Sequence, residues 1–201
     1  EAEICGNGIR CFTRYVYEKS EEKKEIISVE TLGGTKVPAV IVENGEINGI
    51  EVDMGIPLNE GLNEPLSIEG FDFKINKISM GNPHCVIFAD DLSKIETSKI
   101  GPLIENLPQF PHRTNVEFAQ VINRSEINLK VWERGAGETL ACGTGACAAA
   151  SAAIYNGLTN KKVIVHLSGG DLEIEIDNDG HCIMRGPAEK IFEGTYFSEN
   201  V

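Results

Sequence analysis

The sequence predicts a mixed α/β fold in which strands curl around central helices, and three observations support this. A Cys-Gly-x-Gly motif opens two separate helix-like segments, one at Cys5 and one at Cys142. Short β-branched segments of alternating polarity, separated by turn signals, fill most of the remaining chain, as is typical of sheets. The helix after Cys142 has small apolar residues on every face, which indicates that sheet surrounds it. The repetition of the motif indicates an internal duplication.

The first half of the chain begins with a predicted helix, because apolar side chains in residues 9–18 recur at near-helical spacing. The charged run that follows, residues 18–25, is predicted to be a solvated helix end and loop. Two short β-branched strands come next, with a turn at Gly33-Gly34 between them: residues 26–29 and 36–42. Asn44-Gly45 is a hairpin signal that leads to a strand at 50–54, and a boundary between the two halves is expected nearby.

The second half repeats this organisation. Strands are predicted at 71–78 and 85–88, with the polar loop Met80–His84 between them, a common position for a binding residue. Residues 126–134 alternate cleanly and lead through a glycine-rich loop to Cys142. The Ala-rich helix is predicted over residues 145–155 and stops at an Asn-Gly pair. The tail is predicted to form further hairpin strands: 163–167, 172–176 and 182–184.

Composition narrows the class of partner. The chain of 201 residues has 18 Lys and Arg against 31 Asp and Glu, a net charge of −13, which disfavours nucleic acid and anionic membranes. No apolar run approaches the roughly 18 residues that a membrane-spanning helix requires. The six cysteines are scattered through a chain too long to need a disulfide framework, so we interpret them as reduced thiols. We expect a cytoplasmic protein that acts on a small molecule.

The doubled motif predicts chemistry at two thiols. A helix start offers free N–H groups to an anion and stabilises a thiolate, and we expect each start to lower the pKa of its cysteine by roughly one unit. If both starts hold the α-carboxylate of one amino acid, one thiolate can remove the α-proton and the other thiol can return a proton to the opposite face. We expect the two thiols to titrate as a pair that shares one proton. The other cysteines are predicted to pack in the structure: Cys11, Cys85, Cys147 and Cys182.

Four segments of the chain resemble the diaminopimelate epimerase family: Glu3–Cys11, Met80–His84, Arg113–Phe118 and Glu133–Gly145. The resemblance implies two similar α/β domains, each a mixed sheet curled around a central helix, with the site in the cleft between them. It implies interconversion of LL- and meso-2,6-diaminopimelate without pyridoxal, a metal or any other cofactor, in lysine and peptidoglycan precursor biosynthesis. It also makes a homodimer the expected assembly.

The resemblance assigns roles to the motif residues. It implies that the paired base and acid are Cys5 and Cys142. The residues that would hold the reacting amino-acid end are Gly6, Asn7, Gly143 and Thr144. Those that would recognise the distal ammonium and carboxylate are Asn82, Asn115, Glu133 and Arg134, and those that would tune the thiol pair are His84 and Glu133. From the residues alone, His84 is as consistent with a structural loop histidine, and Arg134 with a surface ion pair to Glu133.

The resemblance also suggests a domain division. The first domain would comprise residues 1–50 together with 189–201, which resemble a strand that returns to that domain, and the second would comprise 51–188. Family members have a substantial segment before the first cysteine, and here Cys5 lies four residues from Glu1. We therefore expect an incomplete first domain, and weak or no activity from these 201 residues alone.

Three other functions compete with this interpretation. Proline racemase relatives also use paired cysteines and include enzymes that catalyse other isomerisations. A redox or zinc-thiolate protein could use Cys5, Cys11, Cys142 and Cys147, although the sequence has no Cys-x-x-Cys pair. A phosphate-binding module could use the glycine-rich helix starts, although the Lys-containing P-loop pattern does not occur.

Overall fold

The computed structural model describes residues 5–195. Within them are three α-helices: α1 (Gly6–Lys19), α2 (Thr97–Glu105) and α3 (Gly143–Tyr155), with a short 3-10 helix at Leu92–Lys94. None of the helices in this part of the chain is both long enough and apolar enough to cross a membrane. The predicted mixed α/β class is confirmed.

Most strands of residues 5–195 form one large sheet. The strands are β1 (Val29–Thr31), β2 (Gly34–Lys36), β3 (Ala39–Glu43), β4 (Glu46–Asp53), β5 (Leu58–Ile68), β6 (Phe71–Ser79), β7 (Pro83–Phe88), β8 (Asn115–Asn123), β9 (Glu126–Glu133), β10 (Gly137–Thr139), β11 (Lys162–Leu167), β12 (Gly170–Ile176) and β13 (Cys182–Gly186). Eleven of them pair in the order β3-β4-β13-β12-β11-β9-β8-β7-β6-β5, with β10 on β9, while β1 and β2 form a separate hairpin. The pairs β7–β8 and β9–β11 are parallel, and the others are antiparallel.

Helix α3 lies at the centre of the sheet. Every residue from Gly143 to Ala153 is buried, and the helix contacts β6, β7, β8, β9, β11, β12 and β13. Alanine side chains let these strands pass close to the helix axis and leave no polar face for solvent. The prediction that sheet surrounds this helix is confirmed.

Helix α1 is amphipathic. It buries Ile9 and Thr13, whereas Phe12 and Tyr15 on its other face are 49% and 60% exposed. The segment after β13 runs along this helix. Arg14 donates to the carbonyl of Ala188, and its Nη1 lies 3.3 Å from Oε2 of Glu189. The contact ties the start of the chain to its end.

The structure adds elements that the sequence pattern did not predict: β5, β8, β10 and α2. Strand β10 forms within the predicted glycine-rich loop, because its residues pair with β9. Helix α2 packs with β8 and β9 around a second apolar cluster that includes Ile100, Ile104 and Phe118. His84 lies within β7 and not in the loop before it. No helix or strand forms between residues 189 and 195, and the rest of the predicted returning strand, 196–201, lies outside the described residues. The sheet is continuous through β4, so the domain division near residue 50 stays a prediction.

Candidate active site

The two Cys-Gly-x-Gly motifs meet at their first glycines. A Cβ on Gly6 would lie 3.4 Å from the Cα of Gly143, and a Cβ on Gly143 would lie 3.3 Å from the Cα of Gly6. Met184 packs against both glycines from β13. The two helix starts therefore touch backbone to backbone, and close approach explains why glycine occupies this position in each motif.

One cavity of about 430 Å³ opens at this contact. Both predicted catalytic cysteines and all eight predicted substrate-binding residues line it: Cys5, Gly6, Asn7, Asn82, Asn115, Glu133, Arg134, Cys142, Gly143 and Thr144. Because α1 and α3 both begin here, N–H groups with no partner inside the helix and the positive ends of two helix dipoles converge on one space. Such an arrangement suits a carboxylate.

The two cysteines occupy equivalent backbone positions in unequal surroundings. Each is the N-terminal cap residue of its helix in an extended conformation. Cys5 is exposed, and its sulfur accepts the N–H of Gly8 at 3.3 Å. Cys142 is only 6% exposed, and its sulfur lies 3.5 Å from the hydroxyl of Thr144.

The electrostatics of Cys142 differ from the sequence expectation. Burial, followed by the negative charges of Glu117 and Glu133, raises the pKa of the Cys142 thiol to about 12, and the Thr144 hydroxyl opposes the rise. The expectation that both helix starts lower the pKa of their cysteines is therefore wrong for Cys142. A helix start stabilises an anion by at most about 2 kcal/mol, which is less than the cost of removing a thiolate from water here.

His84 does not line the cavity. It is 1% exposed and lies behind Asn82, whose Oδ1 is 3.1 Å from His84 Nε2. On its other side, His84 Nδ1 is 2.7 Å from Oε1 of Glu117, a fully buried residue of β8. Burial raises the pKa of Glu117, and the charge of His84 opposes the rise. The hydrogen-bond partners of His84 are therefore Glu117 and Asn82, and Glu117 is a residue that sequence reasoning missed.

The Glu133-Arg134 segment is held by its backbone. Oδ1 of Asn115 accepts the N–H of Arg134 at 2.9 Å, and Nδ2 of Asn115 donates to the carbonyl of Pro83 at 3.0 Å. Oε1 of Glu105 accepts the N–H of Gly135 at 3.1 Å. Asn115 therefore joins two loops of the cavity wall, and both ends of its amide are occupied within the protein.

The side chains of this segment have separate partners. Glu133 accepts a hydrogen bond from Thr139 at 2.5 Å, and the Arg134 guanidinium donates to the carbonyl of His112 at 3.2 Å. Within residues 5–195, the two side chains form no ion pair with each other, because each is held by a different partner.

The cavity also has lining residues that sequence reasoning missed: Gly33, Lys36, Met54, Met80, Gly81 and Ala141. Among these residues, Lys36 adds a half-buried positive charge to the cavity wall, where Glu133 contributes a negative charge. Nothing in the strand-like run around Lys36 distinguishes it from an ordinary edge lysine.

The four cysteines of the zinc or redox alternative do not converge. Cys11 lies on the exposed face of α1 and outside the cavity, and Cys147 is buried inside α3 against Cys182. Among residues 5–195, no group of three or more His, Cys, Asp or Glu side chains is placed to hold a metal ion.

Comparison with known proteins identifies the family. The family model described as "Diaminopimelate epimerase" matches residues 1–58 and 77–191. The chain belongs to the diaminopimelate epimerase family. Named members of that family include proteins of Pelotomaculum thermopropionicum, 50% identical over 98% of this chain and 74% of the relative, and Moorella thermoacetica, 49% identical over 98% and 75%. The chain therefore covers about three quarters of each of these diaminopimelate epimerases.

The similar solved structures support only the fold, because their sequences are just 15% identical to this chain. A phenazine biosynthesis protein of the PhzF family from Bacillus anthracis superposes with a TM-score of 0.71 at 15% identity, over 92% of this chain and 73% of that protein. A probable proline racemase from Agrobacterium radiobacter gives 0.69 at 15% identity, over 91% and 64%. The chain thus spans less than two thirds of that racemase.

Proposed function

We propose that this chain carries the active site of a diaminopimelate epimerase, which interconverts LL- and meso-2,6-diaminopimelate by proton transfer between two thiols. One observation carries the proposal: Gly6 and Gly143 touch, so that Cys5 and Cys142 open onto one cavity from two helix starts. Membership of the family supplies the substrate. The arrangement supplies the two opposed proton-transfer groups that inversion at carbon requires.

The reacting end of the substrate fits the paired helix starts. The α-carboxylate would accept N–H groups from both starts, at Gly6-Asn7 and Gly143-Thr144, and gain from both helix dipoles. The same donors would stabilise the extra negative charge that develops when the α-proton leaves. Asn7 lines the cavity beside these donors, and its Oδ1 has no hydrogen-bond partner within the described residues.

The distal end fits the charged side of the cavity. A second carboxylate would pair with the cations of Arg134 and Lys36, and a second ammonium group with the carboxylate of Glu133. Diaminopimelate carries both distal charges, whereas proline carries neither. The charged wall therefore favours a diamino dicarboxylate over a simple cyclic amino acid.

The raised pKa of Cys142 assigns a role to each thiol in the proton transfers. A pKa of about 12 keeps Cys142 in its thiol form at neutral pH, so that Cys142 donates its proton while Cys5, as thiolate, removes the α-proton from the other face. The electron pair of the broken C–H bond stays on the substrate until the new C–H bond forms, and the two sulfurs exchange protonation states. Reaction of the opposite epimer runs the same steps in reverse.

Family membership also supports a homodimer in the cytoplasm and the division into domains 1–50 with 189–201 and 51–188. One contact supports placing residue 193 in the same domain as α1, because Lys19 at the end of α1 forms an ion pair with Glu193 at 2.7 Å. Light scattering during size-exclusion chromatography measures the assembly directly. A single species of twice the chain mass is the expected result.

The test of the reaction is an assay of full-length protein in deuterated water. Solvent deuterium should enter the α-carbon of the inverted diaminopimelate, and Cys5→Ala or Cys142→Ala should abolish inversion. Cys11→Ala is the matched control, since Cys11 lies on α1 outside the cavity and should leave turnover unchanged. Turnover retained in either of the first two variants would exclude the two-thiol mechanism.

The same assay distinguishes a diaminopimelate epimerase from a proline racemase-like enzyme. Proline incubated under identical conditions should gain no α-deuterium. Inversion of proline at a rate comparable to that of diaminopimelate would move the assignment to a proline racemase-like enzyme.

A further inference from the structure

A chain of hydrogen bonds leads from the buried carboxyl of Glu117 to the sulfur of Cys142. Glu117 Oε1 contacts His84 Nδ1 at 2.7 Å, and His84 Nε2 contacts Asn82 Oδ1 at 3.1 Å. Asn82 Nδ2 donates to Thr144 Oγ1 at 3.3 Å, and Thr144 Oγ1 lies 3.5 Å from Cys142 Sγ. Five side chains thus link a carboxyl group that the proposed reaction does not use to one of its two thiols.

The amide of Asn82 gives this chain a direction. Its NH₂ group donates to Thr144, so its carbonyl oxygen faces His84 and can only accept. His84 Nε2 must therefore carry a proton. The Thr144 oxygen already accepts from Asn82, which leaves its own hydroxyl hydrogen free to point at the Cys142 sulfur.

The opposite orientation of the Asn82 amide would remove the hydrogen bond from Thr144 to the Cys142 sulfur. If Nε2 lacked its proton, the Asn82 amide would turn its NH₂ group toward His84 and its oxygen toward Thr144. The Thr144 hydroxyl would then donate to Asn82, and the Cys142 thiolate would lose a hydrogen-bond donor. The protonation of His84 Nε2 therefore decides whether the thiolate at this helix start is hydrogen-bonded by Thr144.

The far end of the chain determines that protonation. Glu117 is fully buried, and its Oε2 has no hydrogen-bond partner within the described residues, so a charge there is poorly stabilised. One proton between Oε1 and His84 Nδ1 makes the pair neutral overall, whichever atom holds it, and leaves Nε2 its own proton. Without the shared proton, the remaining one would move to Nδ1 to face the carboxylate.

We propose that Glu117 is a positioning residue whose proton, shared with His84, sets the direction of the chain and so presents the Thr144 hydroxyl to the Cys142 thiolate. The inference rests on the proposed function, because it assumes that Cys142 alternates between thiol and thiolate. Glu117 itself contacts neither the cavity nor the reacting atoms.

Other titratable groups around the pair act in the same sense. Glu133 on β9 and Cys142 at the start of α3 lie near Glu117, whereas Cys85 on β7 lies on the opposite face of the sheet with Val116 and Phe118. A negative charge on any of the three disfavours a second charge at Glu117. Burial and, to a smaller extent, the Glu133 charge raise the pKa of Glu117, which favours its protonated form.

The direct test measures the tautomer of His84 by ¹⁵N NMR in the full-length protein. The sequence has four histidines, so a His84→Gln spectrum assigns the signals. In the wild type at pH 7–8, the expected result is a protonated Nε2. A His84 whose neutral ring carries its proton on Nδ1 alone would overturn the proposal, and this measurement needs no variant at Glu117.

Glu117→Gln is the matched variant, because glutamine keeps the shape but can either donate to Nδ1 or accept from it. The expected result is a mixture of His84 tautomers, with kcat lowered by about ten-fold to a hundred-fold and KM within about two-fold. A wild-type tautomer and an unchanged kcat in a folded variant would overturn the proposal. If Nε2 is protonated in a wild-type protein that exchanges no α-deuterium, the result contradicts the proposed function but supports the proposed direction of the hydrogen-bond chain.

Discussion

The two Cys-Gly-x-Gly helix starts have the same backbone geometry and opposite surroundings. Cys5 is exposed at the start of an amphipathic helix, and its sulfur accepts one backbone N–H. Cys142 is buried at the start of a helix that the sheet encloses, above a buried carboxyl group. The comparison teaches that a duplicated motif determines where the two thiols lie, whereas the packing behind the second motif raises the pKa of its thiol.

The second glycine of each motif shows the same contrast. A Cβ on Gly8 would meet only Cys5, at ordinary contact distances of 3.4 and 3.5 Å. A Cβ on Gly145 would lie 2.9 Å from Oε1 of Glu117 and 3.3 Å from Cβ of Cys142. Gly145 therefore occupies the narrow space between the thiol and the carboxyl that raises its pKa, and Gly8 has no such neighbour among the described residues.

The largest expected difference between the two starts comes from paired alanine substitutions. Gly145→Ala should lower kcat by up to about a hundred-fold and destabilise the protein by about 1–3 kcal/mol, because the new methyl group must displace a fully buried carboxyl. Gly8→Ala should change kcat little and stabilise α1 by up to about 1 kcal/mol. Turnover and thermal unfolding of both variants measure this. Equal effects on the two variants would show that the surroundings do not differ as described.

A smaller difference is expected in thiol reactivity. At pH 8, Cys5 should react with iodoacetamide at least about ten-fold faster than Cys142, because the thiolate is the nucleophile and a pKa of about 12 leaves little thiolate at Cys142. A Cys11→Ala background removes the other exposed cysteine, and mass spectrometry locates the label. Faster labelling of Cys142 would reverse the assignment of acid and base.

The smallest expected effect concerns Glu133. Its negative charge raises the pKa of Cys142, so Glu133→Gln should lower that pKa and allow Cys142 to be alkylated at a lower pH. The direction follows because removing a like charge favours the thiolate. Glu138→Gln, at an exposed position of β10, is the matched control and should leave the alkylation profile unchanged. An upward shift for Glu133→Gln would contradict the charge assignment.

Much of the fold could be predicted from local pattern. The hairpin at Asn44-Gly45, where both residues have positive φ, and the enclosed alanine helix followed directly from turn chemistry and polarity. Strand β5 was missed, because Gly61, two register shifts and Pro65 interrupt its alternation. Proline is tolerated there because, within residues 5–195, β5 pairs with β6 alone and lies at the sheet edge.

The residues that line the cavity could be predicted where a motif contained them, and Glu117 could not. Glu117 lies in β8, and it reaches His84 only because β7 and β8 pair in parallel across 33 residues of sequence. Local spacing contains no information on that pairing. One signal was present: Glu117 sits between Val116 and Phe118 in a strand buried on both faces, and a carboxyl in such a run requires a polar partner.

The contact between Gly6 and Gly143 has a mechanical consequence. With no side chain between the two backbones, any movement of α1 relative to α3 changes the positions of both cysteines and both sets of N–H donors together. In the proposed reaction, the distance over which a proton moves and the spacing of the N–H groups around the carboxylate would thus both depend on the separation of the two helix starts. Opening the cleft would switch off binding and proton transfer in a single motion, so a partly opened protein would hold no reactive half-site.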